Sequence, residues 1–427
     1  MSACQRGLSA ALLFASVTPA FGSGFALWEQ NASGLGNAYA GIAAVAEDAS
    51  TVFWNPAGMA KLRPGRHVAL SGHAISPSTK FSDAGSVAAA RQGLGNDGGN
   101  AGDLTFVPNA YFVMSLNPQW SFGLGVNVPF GLATEYEQGW MGRFQGVRSE
   151  IQTININPSL SWKASDRLAI GGGISWQQGK IDLLTAVNYS AASGLLPANL
   201  EGQSTIELEG DAWGWNLGVL FDLLPSTRIG VAYRSSVEYE LDGTVRFSNR
   251  PAALGAALPD GNVRLDVETP DMVSFSLSHQ LNPRWTVLAD ATWTGWSNVR
   301  SLPLRRDTGA TLDTLTFNFE DTMRYSVGTS YRMNDAWTFK AGLAFDESPV
   351  PNSTDRSVRL PDNDRTWLAF GARYSVGTAG AIDIGYAYIS IKDAAINNNQ
   401  AALGRGVVNG NYKASVNILS LQYSHAF

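Results

Sequence analysis

The sequence is short of cysteine, histidine, charge and long apolar runs, and each shortage excludes a class of protein. Its one cysteine, Cys4, precedes an apolar stretch from Leu8 to Val17. With Arg6 ahead of that stretch and Ala20-Phe21-Gly22 behind it, residues 1–22 read as a secretory signal peptide. The chain that remains has no thiol, which excludes disulfides and cysteine-ligated metals. No run of about 18 apolar residues follows the signal, so no transmembrane helix is expected. Lys and Arg number 30 against 36 Asp and Glu, a mildly acidic balance that argues against nucleic acid as a partner. Only 15% of residues are charged, where a soluble chain carries about a quarter.

What the chain has in quantity is glycine (45) and aromatics (13 Trp, 13 Tyr, 19 Phe). An exported chain of this kind, lacking a spanning helix, holds itself in a bilayer as a closed β-barrel, the other structure that pairs every backbone polar group internally. Spanning strands of roughly 9–11 residues then alternate lipid-facing and lumen-facing side chains. Trp120, Phe122, Leu124, Val126 and Val128 alternate with Ser121, Gly123, Gly125 and Asn127, and Ile154, Ile156, Leu160 and Trp162 with Asn155, Asn157, Ser159 and Ser161. The same period runs through 213–221, 229–233, 273–277, 285–293, 337–345 and 368–374. It runs more weakly through 66–76, 106–116, 167–179, 323–333, 382–391 and 416–427, giving fourteen strands, an even count as a bacterial barrel requires. Short turns at Asn117-Pro118, Ser165-Asp166, Pro225-Ser226, Asn282-Pro283, Asn334-Asp335 and Gly377 to Gly380 separate long loops. The last strand ends in Phe427, an aromatic with a free carboxylate, like the C-terminal signal read by the barrel assembly machinery. Residues 24–62 lack strand alternation and are rich in small residues, so short helices plugging the lumen are expected there.

That segment, GFALWEQNASGLGNAYAGIAAVAEDASTVFWNPAGMAKL, resembles the N-terminal hatch of the FadL/TodX family of outer-membrane transporters in its GLGNAYAG run and its Asn55-Pro56-Ala57 triplet. The resemblance continues in order through FGLATEY (130–136), ININPSLSWK (154–163), PDMVSFSLSHQL (270–281), WTGWS (293–297), FDESPVP (345–351) and PDNDRTWLAFGARY (361–374). It implies an all-β fold: a fourteen-stranded antiparallel transmembrane β-barrel (64–427) with an N-terminal hatch (23–63) plugging the lumen. It also implies a place in the outer membrane of a Gram-negative bacterium, among lipid and lipopolysaccharide. The implied function is passive uptake of long-chain fatty acids, or of aromatic hydrocarbons such as toluene, through an external apolar groove, an internal pocket and a lateral wall opening. Nothing in the sequence suggests a trimer-forming face, so a monomer is expected.

Each part of such a route has candidate residues. For the wall opening, Pro129 lacks an N–H and Gly131 a side chain, at the end of the strand 120–130; alternatively Pro129 simply ends a strand at the rim. For the groove, the loops 183–209 and 242–269 carry Leu195, Leu196, Leu200, Leu254 and Leu258, as a contact surface or as packing between the loops. A fatty carboxylate leaving water needs a cation. Parity points Arg234, Arg324, Arg332, Lys340 and Arg373 inward, while Arg143, Lys180 and Arg365 lie at strand ends. Arg143, Lys180, Arg324 and Arg365 are the expected ligand contacts, Lys180 on condition that its strand has ended. Lumen acids such as Glu238, Asp290 and Asp346 compete for these cations. The chain has an acid, Glu320, near a position where family members carry a basic residue. An enzyme finds little to work with: of His67, His73, His279 and His425 only His73 points inward, so nucleophile, base and orienting group are hard to assemble. A general diffusion porin would be charge-lined and unplugged. The GLGNAYAG run follows no strand and is no phosphate loop, and no catalytic, metal or cofactor site is expected.

Overall fold

Backbone hydrogen bonding sets the architecture, because a strand in a bilayer must find partners on both sides. The computed structural model describes residues 23–192 and 195–427, so the signal peptide read over residues 1–22 lies outside the described residues. Twenty strand segments form one sheet, which resolves into fourteen staves. These are β1 (Arg66–Asp83), β2 (Thr105–Ser115), β3 (Trp120–Asn127, continued by Gly131–Glu135), β4 (Arg148–Lys163), β5 (Leu168–Asn188), β6 (Glu201–Leu224) and β7 (Thr227–Arg234, continued by Val237–Phe247). They continue as β8 (Gly261–Thr269 with Met272–Gln280), β9 (Trp285–Thr294 with Ser301–Arg306), β10 (Thr311–Thr316 with Thr322–Arg332), β11 (Trp337–Asp346), β12 (Arg365–Val376), β13 (Gly380–Ile391 with Ala394–Asn399) and β14 (Val407–Ala426). Neighbours pair antiparallel throughout, and β1 meets β14 from His67↔Ala426 to Asp83↔Gly410, closing the barrel.

The expected short turns all fall at one end. Three share one chemistry: the side-chain oxygens of Asn117, Asn282 and Asn334 each accept from main-chain amides two and three residues on. Outward positions such as Trp213, Trp215, Leu217, Leu368 and Phe370 are exposed to the surroundings, while alternate residues are buried in the lumen. Two expectations need correction. The segments 183–209 and 242–269 are largely strand, since alternation carries β5 to Asn188 and β6 back to Glu201, leaving 189–200 as the connection. Glu238 is exposed rather than in the lumen, because the chain leaves the ladder between Arg234 and Val237 and re-enters with its parity reversed.

Inside the barrel, residues from Ser23 onward form α1 (Ala32–Leu35), α2 (Ile42–Val45), α3 (Thr51–Trp54) and a 3-10 turn (Pro56–Lys61). Asn55 caps that turn: its side-chain oxygen accepts from Ala57 N (3.0 Å) and its amide donates to Ala43 O and, across to β6, Val219 O. Trp28 and Trp54 stack at 5.5 Å in the centre of this hatch. The inward basic residues bind it. Lys340 donates to Ser33 O and pairs with Glu47 at 2.6 Å, Arg373 pairs with the same carboxylate at 2.6 Å, and Arg234 donates to Phe53 O while its guanidinium lies 4.0 Å from the Phe53 ring centroid. Lumen glycines let the hatch backbone touch the wall: a Cβ on Gly371 would lie 2.9 Å from Gly36 Cα, and one on Gly342 would strike the Asn37 main chain.

Replacing Gly342 with valine should push the hatch off β11 and raise ion conductance in planar bilayers several-fold without unfolding the barrel. A folded variant as silent as the parent would show that this approach does not hold the plug.

Candidate functional site

Three features meet in the half of the barrel away from the short turns. The first is a break in the wall. Opposite β4, β3 runs from Asn127↔Asn155 to Gly131↔Gln152, so one residue too many must be fitted between them. Proline is where the strand departs, and the hatch supplies the missing partners. Leu27 N donates to Pro129 O (2.9 Å), Gly131 N to Phe25 O (2.9 Å) and Gln30 Nε2 to Val128 O (2.8 Å), while Thr153 Oγ1 donates to Phe130 O and accepts from Phe130 N. On the other side the β2–β3 ladder ends at Ala110↔Val126, although β2 continues along β1 to Thr105. Between Thr105–Asn109 and the far part of β3 the wall is therefore unlaced.

The second is an apolar chamber with a cavity of about 60 Å³, lined by Phe25 of the hatch, Phe130 and Leu132 at the break, Ile151 on β4, Ile181 and Leu183 on β5, and Tyr239 and Leu241 on β7. That is well below the roughly 300–1,000 Å³ typical of small-molecule sites, so a long ligand enters only if the walls move apart. The third is a groove of about 200 Å³ at the loop end, bordered by Ile206, Phe247, Leu258, Leu304, Leu312 and Leu403. Groove and chamber share Leu183, Leu315 and Arg359 and so adjoin.

Beside the break lies Glu29. Its main-chain oxygen accepts from Asn109 Nδ2 of β2 (2.8 Å), its side chain is buried, and neither carboxylate oxygen has a hydrogen-bond partner among the described residues. Burial pushes this carboxyl up to about 7, against the pull of its own amide and of Arg365 and Arg324.

The structure distributes the expected site residues unevenly. Pro129 and Gly131 stand at the break, and Asn55, Pro56 and Ala57 lie in the hatch. Leu258 borders the groove, whereas Leu196 and Leu254, half-buried in the external connections, border neither cavity. Arg143 is buried, pairs with Glu201 at 3.0 Å and donates to Gly93 O, Leu94 O and Trp140 O, so it staples loops. Arg324 lies 4.1 Å from the Trp28 ring centroid and donates to Ala38 O, under the hatch. Arg365 pairs with Asp362 at 2.7 Å, and Asp362 in turn accepts from Gly24 N. Lys180 corrects the sequence expectation: its strand has not ended, so although it borders the chamber its ammonium turns to the outer face, 3.5 Å from Glu209 with 53% of the side chain exposed. The cation that does line the chamber, Arg359, was missed because it sits in a loop where strand parity says nothing. The apolar residues around it, Val358 and Leu360, were the available signal that this loop folds inward. His73 pairs with Ser420 at 2.6 Å, but its Nε2 has no partner to orient it among the described residues. No group of three or more metal-ligating side chains occurs among the described residues.

A family model described as outer membrane protein transport protein (OMPP1/FadL/TodX) matches residues 12–427. The long-chain fatty acid transport protein of Salmonella typhi is 31% identical over 402 residues, covering 89% of this chain and 90% of its own. That of Escherichia coli K12 is 30% identical over 413 residues, covering 89% and 90%. Among solved structures, a Pseudomonas aeruginosa FadL homologue matches with a TM-score of 0.88 at 26% identity, covering 95% of this chain and 100% of that one. The Pseudomonas putida toluene transporter TodX matches with a TM-score of 0.67 at 19% identity, covering 89% and 94%, a likeness of fold.

Because the carboxyl of Glu29 is raised from 4.5 to about 7, its contribution to folding is fully favourable below pH 4.5 and is lost as pH climbs through 7. Glu29→Gln should flatten that slope, which is on the order of 3 kcal/mol across the window. Urea unfolding of the barrel in detergent at pH values on either side would read it, and parallel pH profiles for the two proteins would contradict it.

Proposed function

The chain belongs to the OMPP1/FadL/TodX family of outer-membrane transport proteins, and we propose that within it this member takes up long-chain fatty acids by passive diffusion. On this reading the ligand settles in the loop-end groove, passes to the apolar chamber, and leaves sideways where β2 and β3 are unlaced. The observation that carries the reading is the chamber itself: an apolar space inside a closed barrel, walled on one side by the hatch and by the break in β3. An acyl chain gains about 0.8 kcal/mol per buried methylene, so twelve would contribute roughly 10 kcal/mol and hold the ligand until the pocket deforms. The hydrogen bonds from Leu27 and Gln30, and that accepted by Phe25, make the first hatch residues the part whose movement would both deform the chamber and free the break. No energy source is needed for such a step. The relatives named long-chain fatty acid transport proteins favour the acid as cargo.

The proposal extends to the setting: a monomer in the outer membrane, contacting lipid and lipopolysaccharide through exposed apolar residues such as Trp213 and Leu217, and inserted by the barrel assembly machinery. A second reading, uptake of monoaromatic hydrocarbons by the same route, is favoured by the rings of Phe25, Phe130 and Phe317 in the chamber.

Competition between radiolabelled oleate and toluene on the purified barrel separates the two. Oleate that binds, resists toluene and weakens as its carboxyl protonates is the expected result. Effective competition by toluene, with oleate bound poorly or without pH dependence, would turn the assignment to hydrocarbons.

A further inference from the structure

Arg359 occupies the place where groove and chamber adjoin. It belongs to the connection between β11 and β12, whose Val350, Val358 and Leu360 fold into the barrel and are buried. The position is fixed from β3 and the residue that follows it: Thr134 Oγ1 donates to Arg359 O (2.7 Å) and Tyr136 Oη to Val358 O (2.7 Å). Arg359 is 5% exposed, yet the acceptors of its guanidinium are neutral. Nη1 donates to Ser149 Oγ (2.7 Å) and Arg148 O (3.3 Å), and Nη2 to Thr185 Oγ1 (2.6 Å). The neighbouring acid, Asp313, is taken by Arg405 at 2.8 Å, so these three groups together keep one positive charge in excess. A buried cation ordinarily stands beside an opposite charge, because neutral dipoles alone do not offset its lost hydration. Burial pushes Arg359 down to about 10, so it stays charged at neutral pH. Lys180, the other charged residue bordering the chamber, faces outward.

We propose that Arg359 anchors the head group: it receives the carboxylate of a long-chain acid from the groove and holds it at the chamber mouth while the alkyl chain fills the chamber. The direction of the chain follows. Ser149, bonded to Arg359, and Thr153, bonded to Phe130 at the break, lie four residues apart on β4, about 13 Å along the strand. A ligand anchored at Arg359 therefore points its methyl end at Phe25, Phe130 and the unlaced wall, and enters the bilayer tail first with the carboxylate released last.

This assignment rests on the fatty-acid reading, and its test keeps the two apart. Binding of oleate and of its uncharged methyl ester is measured on the parent barrel, on Arg359→Met and on Arg359→Lys, each shown to be folded by its heat-dependent mobility in detergent gels. A parent that binds no oleate would overturn the fatty-acid reading itself. With oleate bound by the parent, Arg359→Met is expected to weaken oleate by roughly tenfold to a hundredfold, as for loss of a charged hydrogen bond, leave the ester within twofold, and be partly rescued by lysine. Equal losses for acid and ester, or oleate binding unchanged, would show that Arg359 only holds its loop and would overturn the anchor.

Discussion

A backbone polar group in hydrocarbon must have a partner, and the rest of this structure depends on how that demand is met at one place. Most of the wall satisfies it through ladders between neighbouring staves and the closing β1–β14 ladder. At residues 128–130, β3 cannot, and main-chain and side-chain groups of Phe25, Leu27 and Gln30 stand in for a strand. Wall and plug are thereby one hydrogen-bonded unit. On the proposed route an opening in the wall and a change in the chamber would be one displacement, since Phe25 both bonds Gly131 and lines the cavity.

The remaining hatch contacts are firmer. Lys340 and Arg373 grip Glu47, Asn55 ties α2 and β6 together, and glycines on β11 and β12 admit the backbone of Gly36 and Asn37. Burial tends to raise the Glu47 carboxyl, but Arg373 and Lys340 outweigh it and hold it down near 2, while Glu29 near the break is left without a hydrogen-bond partner among the described residues and shifts the other way. The hatch is thus held by ion pairs at Glu47 and by hydrogen bonds at Gly24, Phe25 and Leu27, with the Glu29 carboxyl lacking a hydrogen-bond partner among the described residues between them.

Much of the fold was legible because alternation with period two has a single physical cause, one face in lipid and one in the lumen. It located fourteen strands, placed Trp213, Trp215 and Leu217 outside, and sent Arg234, Arg324, Lys340 and Arg373 inside. It failed where a strand leaves the ladder and returns, as at Glu238; at Lys180 alternation itself points outward, and what failed was the expectation that the strand had ended there. The site was less legible. Pro129 and Gly131 mark the break by their missing N–H and side chain, but the hatch residues that repair it are joined to them across about a hundred positions. Arg143, Arg324 and Arg365 have the right charge, yet their committed partners Glu201, Trp28 and Asp362 are known only from the fold. Arg359 lies in a loop whose inward path depends on hydrogen bonds to Thr134 and Tyr136.

The claim that matters most is that cargo leaves through the wall between β2 and β3. Cysteines introduced at positions 109 and 128 flank the unlaced stretch, where Val128 N donates to Asn109 Oδ1 at 3.4 Å. Joining them with a short thiol-specific linker should leave oleate binding intact while abolishing its transfer from the loop side of the barrel into the surrounding bilayer, with reduced, unlinked protein as the control. Transfer that proceeds equally well with the wall stapled would contradict a lateral exit and send the ligand through the hatch instead.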